Sequence, residues 1–126
     1  MKYKLSVTGV VDIEEGITSA KIISTIPANS EARSAQLFGT IEVEGTIAFD
    51  AETTFLTDNA KALREWSFLK TDSPDIYKPV TVELEHNGAV VDTLELDNAF
   101  VISYEEGYKD QNGYFKLVVR QKKARM

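Results

Sequence analysis

The stretch Thr57-Asp-Asn-Ala-Lys-Ala-Leu-Arg-Glu-Trp-Ser-Phe-Leu-Lys70 is the one segment of this sequence whose residue spacing predicts a convincing α-helix. Thr57 can cap the first turn with its hydroxyl group. A short amphipathic helix needs a surface to pack on, because packing rather than intrinsic propensity supplies most of its stability. We therefore expect a helix over residues 57–70 that lies on a sheet or barrel, with Leu63 and Trp66 as its anchors.

Strand-like sequence lies on both sides of this helix. Alternation of apolar and polar residues predicts strands over residues 2–11, 19–26, 38–50, 80–85, 89–96, 99–104 and 113–120. Asp97-Asn98 is interpreted as a turn and 105–112 as a polar loop. Because the strands follow one another mostly through hairpins, the sequence favours a mainly β fold, an antiparallel barrel or sandwich with one flanking helix. Its 126 residues suit a single domain, residues 1–126.

The sharpest turn signal is Asn87-Gly88, the preferred pair for a two-residue type I′ hairpin. With that turn, Leu84 would face Val91 and Glu83 would face Asp92. The second pair is like-charged, which indicates a hydrated face. Further along the chain, Ala99-Phe-Val-Ile102 is apolar on both faces, as is typical of a central strand covered on both sides.

The strand predicted over 38–50 has one apolar face and one polar, acidic face. The polar positions are Thr40, Glu42, Glu44 and Thr46. Taken alone, such a face is most often an ordinary solvated side of an antiparallel sheet. Before it, residues 27–36 form the longest polar stretch, and loops of this length without their own structure often bind something.

Composition limits the classes of function. The net charge is −6, from 20 acidic and 14 basic residues, and an acidic domain is poorly suited to nucleic acid. The sequence has no cysteine, and we expect no membrane-spanning segment or signal peptide, hence a cytoplasmic protein. The C-terminal end is basic, with Arg120, Lys122, Lys123 and Arg125. That tail is either a solvated end or a surface that docks on an acidic partner, such as a second copy.

Recognisable catalytic constellations are missing from the sequence. His86 is the sole histidine and adjoins the predicted Asn87-Gly88 turn, a poor position for a catalytic base. The acidic pairs Glu14-Glu15 and Glu105-Glu106 would suit a two-carboxylate glycosidase only if a fold placed them in a cleft. No metal-binding spacing or phosphate-binding loop occurs. We therefore expect no enzyme activity, no cofactor and no metal.

The second half of the sequence resembles a known family. The helix ending Glu65-Trp-Ser-Phe-Leu-Lys70 is followed by a hairpin, Val80-Thr-Val-Glu-Leu-Glu-His-Asn-Gly-Ala-Val-Val-Asp-Thr-Leu94. Next come Leu96-Asp-Asn-Ala-Phe-Val-Ile-Ser-Tyr-Glu-Glu106 and Gly113-Tyr-Phe-Lys-Leu-Val-Val-Arg-Gln-Lys122. This order is similar to that of the tube protein of type VI secretion systems (Hcp) and of the tail tube proteins of contractile phages. The similarity covers roughly residues 37–122.

The resemblance implies a two-sheet antiparallel barrel with one flanking helix, whose copies close into rings, usually of six, that stack into a hollow tube. It implies that the loop containing Asn29, Ser30, Glu31, Arg33 and Ser34 contacts the neighbouring ring. The candidate residues lining the channel are Thr40, Glu42, Glu44 and Thr46. The basic tail at Arg120, Lys122, Lys123 and Arg125 would contact another copy.

The implied function is structural, with self-association as the main interaction. Sheath, baseplate or effector proteins are the further partners that the resemblance implies, with no sequence-specific nucleic-acid binding and no membrane insertion. Assembly is expected in the cytoplasm, with the tube either in a virion-like particle or secreted as part of an injection apparatus. The alternative is a small monomeric or dimeric β-barrel that binds an apolar or sugar ligand.

Overall fold

The computed structural model describes residues 2–25, 38–47, 58–69, 73–109 and 112–122. These residues form seven strands, one α-helix and a short 3-10 helix at Pro74–Ile76. The strands are β1 (Lys2–Val7), β2 (Val11–Ile13), β3 (Ile17–Thr25), β4 (Phe38–Ile47), β5 (Lys78–His86), β6 (Ala89–Lys109) and β7 (Asn112–Gln121), and the helix α1 is Asp58–Ser67. The expectation of a mainly β protein with one helix is confirmed.

The strands form a single antiparallel sheet in the order β2-β1-β5-β6-β7-β4-β3. Every described pairing is antiparallel. The edge strands are β2 and β3, and the described pairings do not close the sheet into a barrel. The sheet is nevertheless curled, because β1 lies near β3 although the two are far apart in the strand order.

Strand β6 holds the two halves of the sheet together. Its first part pairs with β5 from Ala89 to Ala99, and its second part pairs with β7 from Ala99 to Lys109. The predicted turn at Asp97-Asn98 is therefore wrong, and so is most of the predicted loop over 105–112, since β6 continues to Lys109. Irregular register near Val101 marks the position at which this long strand bends.

Both halves contribute to one hydrophobic core. Buried apolar residues come from every strand and from α1, including Leu5, Val82, Val43 and Leu117. The predicted double coverage of residues 99–102 is only partly observed, because Ala99 is buried whereas Ile102 is 42% exposed. The irregular register between Val101 and Ser103 turns Ile102 away from the core.

Helix α1 contacts both β2 and β6. Leu63 and Trp66 are buried in the core, and the indole Nε1 of Trp66 donates a hydrogen bond to the Ile76 carbonyl at 2.8 Å. The predicted helix extends to Lys70, but the observed helix ends at Ser67. The backbone N–H groups of Phe68 and Leu69 donate to the carbonyls three residues earlier, which tightens the last turn. Thr57 and Lys70 lie outside the described residues.

Two hairpin turns lie within the described part of the chain. Asn87 and Gly88 both have positive φ, 53° and 82°, as a type I′ turn requires. The predicted register is wrong by one residue, because an irregularity after Leu84 places Asp92 opposite Leu84 and Thr93 opposite Glu83. The strand predicted over 2–11 is divided by a tight turn at Gly9, whose φ is 77°.

Candidate functional surfaces

The predicted channel-lining residues lie on one face of β4. Ile41, Val43, Gly45 and Ile47 point into the core. The opposite face carries Thr40, Glu42, Glu44 and Thr46, which are half-buried or exposed. This arrangement follows directly from the two-residue period of a strand. The four residues therefore share one outward surface of the sheet.

The neighbouring strands change the charge of that surface. Glu44 accepts a hydrogen bond from Ser19 at 3.3 Å and lies 3.9 Å from the ammonium group of Lys116 on β7. Lys21 on β3 is paired in register with Glu42, and Arg120 is paired with Thr40. The acidic character inferred from β4 alone is thus balanced by cations from both adjacent strands.

The described part of the basic tail makes contacts within the molecule. Arg120 Nε donates to Thr40 Oγ1 at 3.4 Å. The Lys122 ammonium lies 4.3 Å from the centre of the Tyr77 ring, a cation–π geometry. Lys122 also donates its backbone N–H to the Asn98 carbonyl at 2.7 Å. Lys123 and Arg125 lie outside the described residues, as does the whole predicted stacking loop with Asn29, Ser30, Glu31, Arg33 and Ser34.

The most elaborate polar cluster was not predicted from the sequence. Its centre is the carboxylate of Glu106 on β6. Arg64 of α1 donates from Nε to Oε1 at 3.0 Å and from its terminal nitrogen to Oε2 at 2.7 Å. The hydroxyl groups of Tyr104 and Tyr108 donate to the same two oxygens at 2.8 and 2.7 Å.

The surroundings shift the pKa values in this cluster. Burial by itself favours the protonated form of Glu106, but the hydrogen bonds from Arg64, Tyr108 and Tyr104 outweigh it and hold the pKa of this carboxyl below its ordinary value. Burial, followed by the hydrogen bond to Glu106, raises the pKa of both Tyr104 and Tyr108. The hydrogen bond to Glu106 raises the pKa of Arg64.

This arrangement suits attachment of the helix better than catalysis. A carboxylate offers about four acceptor positions, and four donors fill them here. A saturated, ionised carboxylate has no free position from which to abstract a proton. The cluster therefore fixes α1 to β6. The sequence signal was the alternation Tyr104-x-Glu106-x-Tyr108, which continues the strand period through a segment that looked polar.

The other candidate catalytic groups are not brought together. His86 is exposed at the β5–β6 turn. Glu105 and Glu106 point to opposite sides of β6, since Glu105 is paired with Lys116 and Glu106 with the buried Phe115. Among the described residues, no group of three or more possible metal ligands converges.

A polar cleft of about 230 Å³ lies on the outer side of β1, β2 and β5. Lys4 occupies it, 3.7 Å from Glu14 and 3.8 Å from Glu85. Ser6 donates a hydrogen bond to Asp12 at 2.5 Å in the same cleft. The lining residues Asp12, Glu14 and Glu83 outnumber the single lysine, which is already paired with carboxylates, so the cleft is acidic and offers no cationic centre for an anionic ligand.

Several strand edges are unpaired among the described residues, and two of them are relevant to association. The outer edge of β3 has no strand partner beyond β4, and residues 89–97 of β6 pair with β5 alone. Large apolar side chains are exposed at both edges. They are Ile22, 44% exposed, and Ile23, 37%, on β3, and Val90, 52%, and Val91, 55%, on β6.

Comparison with known proteins identified no relative: no family model, no curated protein and no solved structure matches this chain. Within the described ranges, no helix is long and apolar enough to cross a membrane.

Proposed function

We propose that this protein is a structural subunit that assembles with copies of itself into stacked rings around a hollow channel. The observation that carries this proposal is that, within the described ranges, one curled antiparallel sheet has two different unpaired strand edges. Two unlike contact surfaces per copy are what a ring requires, because each copy must offer one to each neighbour. The resemblance of residues 37–122 to tube proteins gives the same assembly.

The sheet supports the finer proposal of a two-sheet barrel. In this interpretation β2, β1, β5 and the first half of β6 form one sheet, and the second half of β6 with β7, β4 and β3 forms the other. The two halves share β6 and enclose the core. Helix α1 would be the flanking element.

The outer face of β4 is the proposed channel lining. Its polar side chains, Thr40, Glu42, Glu44 and Thr46, would keep the channel hydrated. Lys116 and Arg120 on the adjacent strand would keep its net charge low. A lining that is mostly polar and carries little net charge would hold a passing macromolecule only weakly, as a conduit requires.

The alternative is a small β-barrel that binds an apolar or sugar ligand. Such a protein needs an enclosed interior pocket. The inward side chains of the described strands instead pack on one another, with Val80, Val82 and Leu117 fully buried. This packing favours the structural role, for which we propose no catalysis.

Light scattering coupled to size-exclusion chromatography tests the proposal. Purified full-length protein at increasing concentration should elute as a closed ring, about six times the monomer mass, or as larger stacks. The proposal is wrong if the protein stays monomeric at all concentrations and binds a small apolar probe in its interior. That result would establish the ligand-binding alternative.

A further inference from the structure

The free edge of β3 is long and nearly uncharged. It spans nine residues, Ile17–Thr25, and Lys21 is its sole charged residue. Lys21 is exposed, and Ile22 and Ile23 beside it are exposed as well. An edge with free backbone groups, exposed isoleucines and few charges is a site at which another strand readily adds.

The free edge of β6 has the opposite charge. Residues 89–97 contain Asp92, Glu95 and Asp97 and no basic residue, and all three acidic side chains are exposed. Val90 and Val91 on the same segment are more than half exposed. This edge therefore offers apolar contact and negative charge, whereas the β3 edge offers apolar contact and positive charge.

We propose that neighbouring copies join through these two edges, with β3 of one copy adding to residues 89–95 of β6 in the next. The proposal rests on the proposed ring-forming function and specifies the surfaces that form each joint. Self-pairing of the β6 edge would bring acidic side chains together, which is unfavourable across strands. The unlike pairing brings Lys21 towards acidic residues instead. β2 is a poorer partner because it has only three residues.

The direction of the strands agrees with this joint. Counting along the sheet, three antiparallel steps separate β6 from β3, so the two strands run in opposite directions within one copy. In a ring whose axis runs along the strands, rotation keeps the strand directions unchanged. The β3 strand of the neighbour would therefore lie antiparallel to β6 of the first copy. Ile23 and Val90 both lie on the outer side of the sheet. Ile23 is directly opposite Thr40 and Val90 is directly opposite Glu85, and both of these partners face outwards.

The absence of cysteine from the sequence makes a disulfide test direct. Two full-length variants, Ile23→Cys and Val90→Cys, are purified separately, mixed under assembling conditions and oxidised. The mixture should form covalent dimers about tenfold faster than a control mixture of Val90→Cys with Glu105→Cys, because adjacency raises the effective thiol concentration. Glu105 is exposed on the same strand but lies outside residues 89–95, in the part of β6 that pairs with β7. The double variant I23C/V90C should give a ladder of oligomers.

Each alternative joint has its own signature. Rapid dimer formation by Ile23→Cys alone would show that β3 pairs with itself, and would overturn the proposed joint. Rings or tubes that form without any cross-link above the control rate would overturn it too, while the ring-forming function would stand. Monomers at every concentration would contradict the proposed function itself.

A charge exchange tests the joint without cysteines. Lys21→Glu should weaken the association of copies about fivefold, since it turns an attractive contact into a like-charged one. Combining it with Glu95→Lys in the same chain should restore most of the loss. Equal association of the wild type and Lys21→Glu, with both folded by circular dichroism, would overturn the pairing of these two edges.

Discussion

At the scale of single residues, the carboxylate of Glu106 is the main polar attachment between the helix and the sheet. Four donors surround it, and its side chain is 10% exposed, whereas that of Arg64 is 38% exposed. Hydrogen bonds to a charged group contribute more to stability than neutral ones, but the exposure of Arg64 reduces the effect through solvent screening.

Glu106→Gln should therefore lower the free energy of unfolding by about 1–2 kcal/mol, because an amide cannot accept from both Arg64 nitrogens and both tyrosines. Urea denaturation monitored by Trp66 fluorescence measures the change. Glu105→Gln is the matched control, one position earlier on the exposed side of the same strand, and should change stability by less than about 0.5 kcal/mol. Equal losses for the two variants would contradict the role of the cluster.

The pH dependence of stability follows from the same group. Since folding lowers the pKa of Glu106, the unfolded chain binds a proton more readily, and stability falls as pH decreases from the ordinary value of 4.5 through the lower folded value. The stability difference between the wild type and Glu106→Gln should therefore be largest above pH 4.5 and shrink below it. A difference that stays constant from about pH 6 to pH 3 would show that the ionised carboxylate contributes nothing.

At the scale of secondary-structure elements, α1 is held by apolar burial and by one hydrogen bond to the following 3-10 helix. Trp66→Phe keeps most of the buried ring but leaves the Ile76 carbonyl without its 2.8 Å donor. The substitution should cost about 1–3 kcal/mol, from the lost hydrogen bond and the smaller ring.

Phe68→Ala supplies the control for this prediction. Phe68 lies two residues further along but is 77% exposed, so its removal should cost less than about 0.5 kcal/mol. Chemical denaturation followed by far-ultraviolet circular dichroism compares the two variants. If Phe68→Ala lowers the free energy of unfolding as much as Trp66→Phe does, the exposed Phe68 ring contributes as much to helix packing as the buried Trp66 does, and the prediction is wrong.

The elements also show how far the sequence could predict the fold. The helix and the Asn87-Gly88 turn were predictable because capping, helical spacing and turn chemistry are local. The continuity of β6 was not. Asp97-Asn98 has the composition of a turn, but the backbone N–H of Asn98 bonds to Gln121 at 3.2 Å and its carbonyl accepts from Lys122. Those partners are 23 and 24 positions away, and local sequence carries no sign of them.

The polar cluster was missed for a similar reason. Glu106 faces the core side of β6, a position that an alternating pattern assigns to an apolar residue. A carboxylate is stable there because it is paired with Arg64, which lies on the helix 42 residues earlier in the sequence. The polar face of β4 was predictable from the alternation of its residues. The cations that neutralise this face were not, because they come from β3 and β7, and only the strand order shows that these strands flank β4.

At the scale of the whole molecule, the proposed joint between copies pairs unlike charges at exposed edges, so association should depend on salt. Raising the ionic strength from about 0.05 M to about 0.5 M shortens the Debye length and should lower the assembled fraction of the wild type. The Lys21→Glu variant, which lacks the attractive contact, should not show this loss. Sedimentation velocity measures the assembled fraction of the wild type and of the variant. If the assembled fraction of the wild type instead rises steadily with salt, the electrostatic contribution is contradicted.

If copies of this chain build a hollow tube, negative-stain electron microscopy of the concentrated full-length protein at moderate salt should show it. We expect rings with a central hole, seen end-on, and stacks of such rings, seen from the side. Uniform small particles without a hole, under conditions in which light scattering shows a monomer at every concentration, would contradict it.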